Sequence, residues 1–216
     1  MRFLITAGPT REAIDPARFI SNRSSGKMGY SLAEAALHHG HQVILISGPT
    51  ALNVPPGADF LPIESAQEMY DAVAFHSHKA DIAILCAAVA DYRPIAVAQQ
   101  KIKKTAETMT LELERTPDIL GSMRSIFQYD KTLVGFAAET NDVEAYARGK
   151  LQRKQCDLIV ANDVSRRDIG FDSSENEVTL VYPDHTEIIA KAPKSQIAME
   201  IIHRACEIRE KQFNLL

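Results

Sequence analysis

The eight residues Ile82-Ala-Ile-Leu-Cys-Ala-Ala-Val89 carry no strongly polar side chain, and that decides the fold class. A strand with one wet face alternates apolar and polar residues. A strand apolar on both sides must be covered on both faces, as in a parallel sheet flanked by helices. Mostly apolar runs recur at Phe3–Ala7, Val43–Ser47, Phe60–Pro62, Leu133–Ala138 and Leu158–Ala161. Helical patterns fill the intervals at roughly 27–39, 65–79, 117–128, 142–155 and 194–211. Alternating strand and helix implies an α/β fold with a doubly wound, mostly parallel Rossmann-like sheet. Near the end, Glu177–Tyr182 and Thr186–Ala190 flank Pro183-Asp184-His185, which predicts an antiparallel C-terminal edge hairpin.

The 216 residues are 45% hydrophobic, enough for one full core. They predict a single domain over 1–216 with an extended arm at about 95–115. A net charge of −4 argues against general nucleic-acid binding. No apolar run approaches the roughly 20 residues of a membrane-spanning helix, and Met1-Arg-Phe-Leu-Ile-Thr-Ala-Gly8 reads as a strand, not a signal peptide. Cys86, Cys156 and Cys206 form no Cys-x-x-Cys pair, so neither disulfide nor zinc is expected and a reducing cytoplasm fits. His38, His39 and His41 read as surface residues at a helix end, and Phe19 and Tyr30 as core or interface residues.

Ligands of such sheets bind beyond the carboxyl ends of the strands, and four loops there stand out. The first runs about eighteen residues from Ala7 to Gly26, far longer than a tight βα connection. Its Ser24-x-Gly26-x-x-Gly29 is close to the dinucleotide fingerprint, which should follow the strand directly and here does not. Gly26-Lys27 is no phosphate loop of the Walker type, since Met28 stands where Ser or Thr is needed. What remains is a polar stretch, Ser21-Asn22-Arg23-Ser24, at a helix start that favours an anion. Ser24 or Ser25 is the expected N-cap.

The second loop, Cys86 to Pro94, has small residues that let a ligand approach the backbone, with Asp91 as an acceptor or a turn-former. The third carries Lys101, Lys103 and Lys104 on an extended segment. Its like charges predict an arm over 95–108 that stands open and closes on a triphosphate. Thr116 and Pro117 read as N-cap and first residue of the next helix. The fourth follows Gly135-Phe136, and its helix places Lys150 and Lys154 on one face.

Together, "TAGPTREAIDPARFISNRSSGKMG", "AAVADYRP", "KIKK", "TPDIL", "VGFAAET" and "ANDVS" with "GFDSSENEVTL" resemble the bacterial, CTP-dependent phosphopantothenate–cysteine ligases of coenzyme A biosynthesis. The resemblance spans almost the whole chain and departs at Pro9, where the family has Gly. It implies CTP as co-substrate with Mg2+, attack of the 4′-phosphopantothenate carboxylate on the α-phosphate, and an acyl-cytidylate that L-cysteine converts to the amide. It assigns Asn22 and Lys101 to catalysis. To the nucleotide it assigns Leu85, Cys86, Ala87, Asp91, Lys101, Pro117, Asp118, Ile119, Leu120, Phe136, Lys150 and Lys154. To the acyl substrate it assigns Asn22, Arg23, Ser24, Gly26 and Ala88, with the Asn22 amide donating to the acyl group. A homodimer is implied, with the lysine arm reaching the partner. Family members are often fused behind a flavin-dependent decarboxylase; a chain opening at the first strand is expected to carry no FMN. The rival on the same fold is an NAD(P)-dependent reductase. It requires an acidic residue ending the second strand, and Val43-Ile-Leu-Ile-Ser-Gly-Pro-Thr50 has none. A non-catalytic nucleotide sensor is a third reading.

Overall fold

A computed structural model describes residues 1–104, 107–139, 141–163 and 174–214. The part of the last motif at 164–173 lies outside the described residues. In chain order the elements are β1 (Arg2–Ala7), β2 (Arg11–Asp15), β3 (Arg18–Ser21), α1 (Lys27–His38), β4 (Gln42–Ser47), β5 (Asp59–Pro62), α2 (Ala66–His76), β6 (Ile82–Leu85), β7 (Tyr92–Pro94), β8 (Leu113–Arg115), α3 (Ile119–Ser125), β9 (Thr132–Glu139), α4 (Val143–Lys154), β10 (Leu158–Asp163), β11 (Glu175–Val181), β12 (Thr186–Pro193) and α5 (Lys194–Asn214).

One eight-stranded sheet runs β12-β11-β10-β9-β6-β1-β4-β5. From β10 to β5 all neighbours are parallel, while β11 and β12 add antiparallel at the edge. Numbering only the parallel strands gives the spatial order 3-2-1-4-5-6, the doubly wound dinucleotide-fold order, whose switch point lies between β1 and β6. Side chains of a strand alternate between faces, and two cores result. Phe3, Ile5, Ile84 and Val160 pack with Leu32 of α1 and Ile197 and Ile201 of α5. Leu4, Ala83, Leu133 and Ile159 pack with Met69 and Val73 of α2, Met123 of α3 and Leu151 of α4.

Three local expectations change. The long first loop contains the β2–β3 hairpin; its strands are short and half polar, too weak a signal beside tertiary contacts. The run Ile82–Val89 is a strand only to Leu85, because its neighbour β1 turns away at Gly8, which has a φ of +72°; only the single bridge Pro9–Ala88 continues the ladder. The helix starts also move. α1 is capped by Gly26 in the left-handed conformation with no side-chain cap, and α3 by Asp118, which accepts from Gly121 N–H at 2.9 Å. The Thr116 hydroxyl instead donates to the Ala90 carbonyl. Tyr30 is buried, but Phe19 is 47% exposed.

Candidate active site

The crevice at the switch point is closed by the chain itself. Ala88 N–H donates to Gly8 O at 2.9 Å, and Thr10 N–H to Ala88 O at 3.3 Å. The Thr6 hydroxyl accepts from Ala87 N–H at 3.1 Å and the Thr10 hydroxyl from Ala90 N–H at 2.9 Å. Behind this seam α1 presses directly on β1: a Cβ on Gly29 would stand 2.5 Å from the Ala7 Cβ. The bonds of the seam stitch the loop after β1 to the loop after β6 across the switch point.

On the α3–α4 side of the seam lies a cleft of about 670 Å³. Leu85, Ala87 and Val89 form its floor, Pro117–Leu120 one wall, and α4 the other. Lys150 and Lys154 project from α4 into it. Lys150 Nζ donates to Phe136 O at 2.7 Å. Burial lowers its pKa below the ordinary value of 10.5, with the nearby Glu139 carboxylate opposing. Lys154 pairs with the Asp118 carboxylate. Burial alone would raise Asp118; the hydrogen bonds from Lys154 and from Gly121 N–H outweigh it and hold the carboxyl below its ordinary range. The result is a small-residue floor with two ammonium groups above it, suited to a planar ring and an attached polyanion.

Across the seam stands Asn22, at the end of β3. Its side-chain N–H groups donate to Ala88 O and Val89 O, both at 3.0 Å. Val89 lines the cleft, so Asn22 sits one peptide from its rim.

The model of the DNA/pantothenate metabolism flavoprotein C-terminal domain matches residues 1–208. The chain belongs to that family. It is 52% identical over 201 residues to the coenzyme A biosynthesis bifunctional protein CoaBC of Vibrio vulnificus strain YJ016, covering 92% of this chain and 50% of that protein. Identity to the CoaBC of Bacillus subtilis strain 168 is 49% over 210 residues, covering 96% and 52%. The crystal structure of the C-terminal domain of a CoaBC superposes with a TM-score of 0.82 at 44% identity, covering 97% of this chain and 98% of that one. The chain spans about half the length of the curated relatives it matches.

In this flavoprotein-family domain, ten of the twelve residues expected at the nucleotide line the one cleft. Cys86 does not. Strand alternation turns its half-buried side chain to the α1–α5 core, and burial pushes its thiol up to about 12. Lys101 does not line the cleft either. Along the arm, Ile95 N–H bonds Glu112 O, Ala98 N–H bonds Ile14 O, and Ile102 N–H bonds Asp15 Oδ2 at 3.1 Å. Of the residues expected at the acyl substrate, Arg23 is exposed, the Ser24 hydroxyl accepts from Gly26 N–H at 3.3 Å, and Ala88 is the carbonyl that holds Asn22. The exposed Asn22 side chain thus has its N–H donors engaged, and its side-chain oxygen is the group left for a ligand.

The cleft also contains residues that sequence reading passed over, chiefly Tyr146 and Arg153 of α4, Arg115, and Glu139. The first two were legible: 146, 150, 153 and 154 fall on one helical face. Arg115 and Glu139 were not, because only the packing of β8 and β9 around the cleft brings them in.

Proposed function

We propose that the chain condenses 4′-phosphopantothenate with L-cysteine at the expense of CTP, a ligation step of coenzyme A biosynthesis. The observation that carries this reading is the coincidence of two facts. Identity to CoaBC extends over more than nine-tenths of the chain, and ten residues that the ligase resemblance assigns to nucleotide converge on one cleft. In the first step a carboxylate oxygen bonds to the α-phosphorus and pyrophosphate leaves. In the second the cysteine amine bonds to the acyl carbon, loses a proton, and CMP leaves. Lys150 and Lys154 supply positive charge where the triphosphate lies, and the charge that develops on the phosphates is best met by such preorganised groups. The Asn22 oxygen, beside the seam, accepts from the incoming amine in this reading.

The described residues hold no cluster of three metal-binding side chains. That fits Mg2+, which keeps its waters and binds through one or two carboxylates plus substrate phosphates. Asp91 and Glu139 on the cleft would hold it, and the ion would neutralise phosphate charge. A homodimer is supported by exposed apolar side chains on the hairpin and arm, among them Phe19, Ile95, Val97 and Leu113, and by the position of Lys101 outside its own cleft. A cytoplasmic setting accords with thiols that are all free and with the absence, among the described residues, of a helix long and apolar enough to cross a membrane.

Pyrophosphate release and product mass, measured with phosphopantothenate, cysteine and each nucleoside triphosphate in turn, test the reading. CTP should support turnover and ATP poorly. Equal kcat/KM for ATP and CTP would remove the base preference. No turnover with any of the four would overturn the function.

A further inference from the structure

Asp15, at the tip of the β2–β3 hairpin, is a carboxylate with no exposed side-chain surface, far from the cleft in sequence and absent from its lining. Its Oδ1 accepts from Ala17 N–H at 2.8 Å and Arg18 N–H at 3.0 Å. Its Oδ2 accepts from the Arg18 guanidinium, with Nε at 3.0 Å, and from Ile102 N–H at 3.1 Å. Arg18 in turn donates to Ile102 O at 3.0 Å. Both backbone polar groups of Ile102 are therefore held by one ion pair, 87 and 84 residues away in sequence. A turn needs an Asx acceptor for its own N–H groups, but it does not need the second oxygen and the guanidinium to reach a distant segment.

Ile102 is flanked by Lys101 and Lys103, both exposed. With the peptides on either side of Ile102 clamped, the Cα of Lys101 is fixed about 3.8 Å away across a trans peptide. The same hairpin leads through Arg18–Ser21 directly into Asn22, so one small unit carries the acyl-site asparagine at its base and holds the lysine arm at its tip. The Ser21 hydroxyl closes the base of that unit on Thr10 O at 2.7 Å, and Arg11 N–H ties it to Glu64 O, beyond β5, at 2.7 Å.

We propose that Asp15, acting through Arg18 and the Ile102 backbone, is the positioning residue for Lys101. The inference rests on the ligase reading, in which Lys101 supplies a cation to the activation step. It replaces a mobile arm by a pre-set one: the like charges of Lys101, Lys103 and Lys104 are held in place before nucleotide arrives, and no ordering of the arm is left for the binding step. Arg18 offsets the Asp15 charge within the clasp, so the clasp adds no net charge of its own beside the triphosphate.

The test uses the intact chain with Asp15→Asn, Arg18→Ala and Lys101→Gln, alone and combined. Pyrophosphate release with CTP and phosphopantothenate should fall about 10- to 100-fold in kcat for Asp15→Asn, the penalty of a catalytic group displaced by an ångström, with KM little changed. Combined with Lys101→Gln, it should cost nothing beyond Lys101→Gln alone, since residues acting through one another are not additive. Arg18→Ala, a 42% exposed side chain, should repeat this where Asp15→Asn folds poorly. A second readout is independent of activity: trypsin should cut after Lys101 about tenfold faster in either variant than in wild type, at unchanged circular dichroism. Multiplicative losses with Lys101→Gln, or equal tryptic rates, would overturn the proposal. A wild type without turnover would overturn the ligase reading instead, and the proteolysis would then decide the clasp alone.

Discussion

Asn22 is tied by its side-chain amide to the carbonyl of Ala88, 66 residues further along the chain, at 3.0 Å. Together with the bond to Val89 O, also at 3.0 Å, this contact joins the helix-start loop to the floor of the cleft and leaves the amide oxygen for a ligand. Asn22→Ala should therefore loosen the loop as well as remove a ligand contact. Amide formation should fall about 100-fold or more, the usual cost of one preorganised polar group. The two lost hydrogen bonds should cost about 1–2 kcal/mol of stability, a Tm drop of several degrees. Single-turnover analysis of acyl-cytidylate formation and decay checks it; a well-folded variant with wild-type turnover would leave Asn22 a loop residue only.

Lys150 titrates below its ordinary 10.5 because burial disfavours its ammonium, with Glu139 opposing. The unfolded chain keeps its proton to higher pH. Between the lowered value and 10.5 the unfolded state thus binds more protons, and stability rises with pH across that window. Nucleotide affinity should run the other way, weakening as Lys150 loses charge. Calorimetric titration with CTP at increasing pH should show this limb, and Lys150→Arg should move it upward. An affinity that Lys150→Arg leaves unchanged at every pH would remove Lys150 from phosphate binding.

The thiol of Cys86 is pushed up to about 12 by burial, Lys194 opposing. At pH 8 roughly one thiol in ten thousand is then ionised. Alkylation of native protein by iodoacetamide, followed by mass spectrometry, should leave Cys86 unmodified over hours and label it on unfolding. Rapid labelling of the native state would mean that the side chain faces the cleft after all.

Gly29→Ala tests the seam. In an open helix the change would stabilise by about 1 kcal/mol. Here the new Cβ would lie 2.5 Å from the Ala7 Cβ and 3.0 Å from its Cα, with no flexible side chain to give way. A net loss of about 1–3 kcal/mol is expected, read from urea midpoints at unchanged slope. A gain in stability would show that α1 can lift from β1 at no cost.

Expectation and structure agree where local pattern is enough. The apolar run of Ile82–Leu85, the helical period of α1 and α5, and the edge hairpin β11–β12 were legible because each is specified by residues close in sequence. That the central strands run parallel follows from their alternation with helices, and the loops at their carboxyl ends carry the motifs; their spatial order came from the tertiary structure. The tertiary structure decided what depends on the register of one segment against another. Strand parity sends Cys86 to one core and Ala87 to the cleft. The short β2–β3 hairpin is held in place because Arg11 and Asp15 find distant partners in Glu64 and Ile102. Lys101 is held at the hairpin tip while Lys150 and Lys154 enter the cleft, although all three are lysines in polar segments. The physical reason is the same in each case: a side chain's type and spacing set its chemistry and its periodicity, but its direction is fixed by backbone hydrogen bonds formed across many tens of residues.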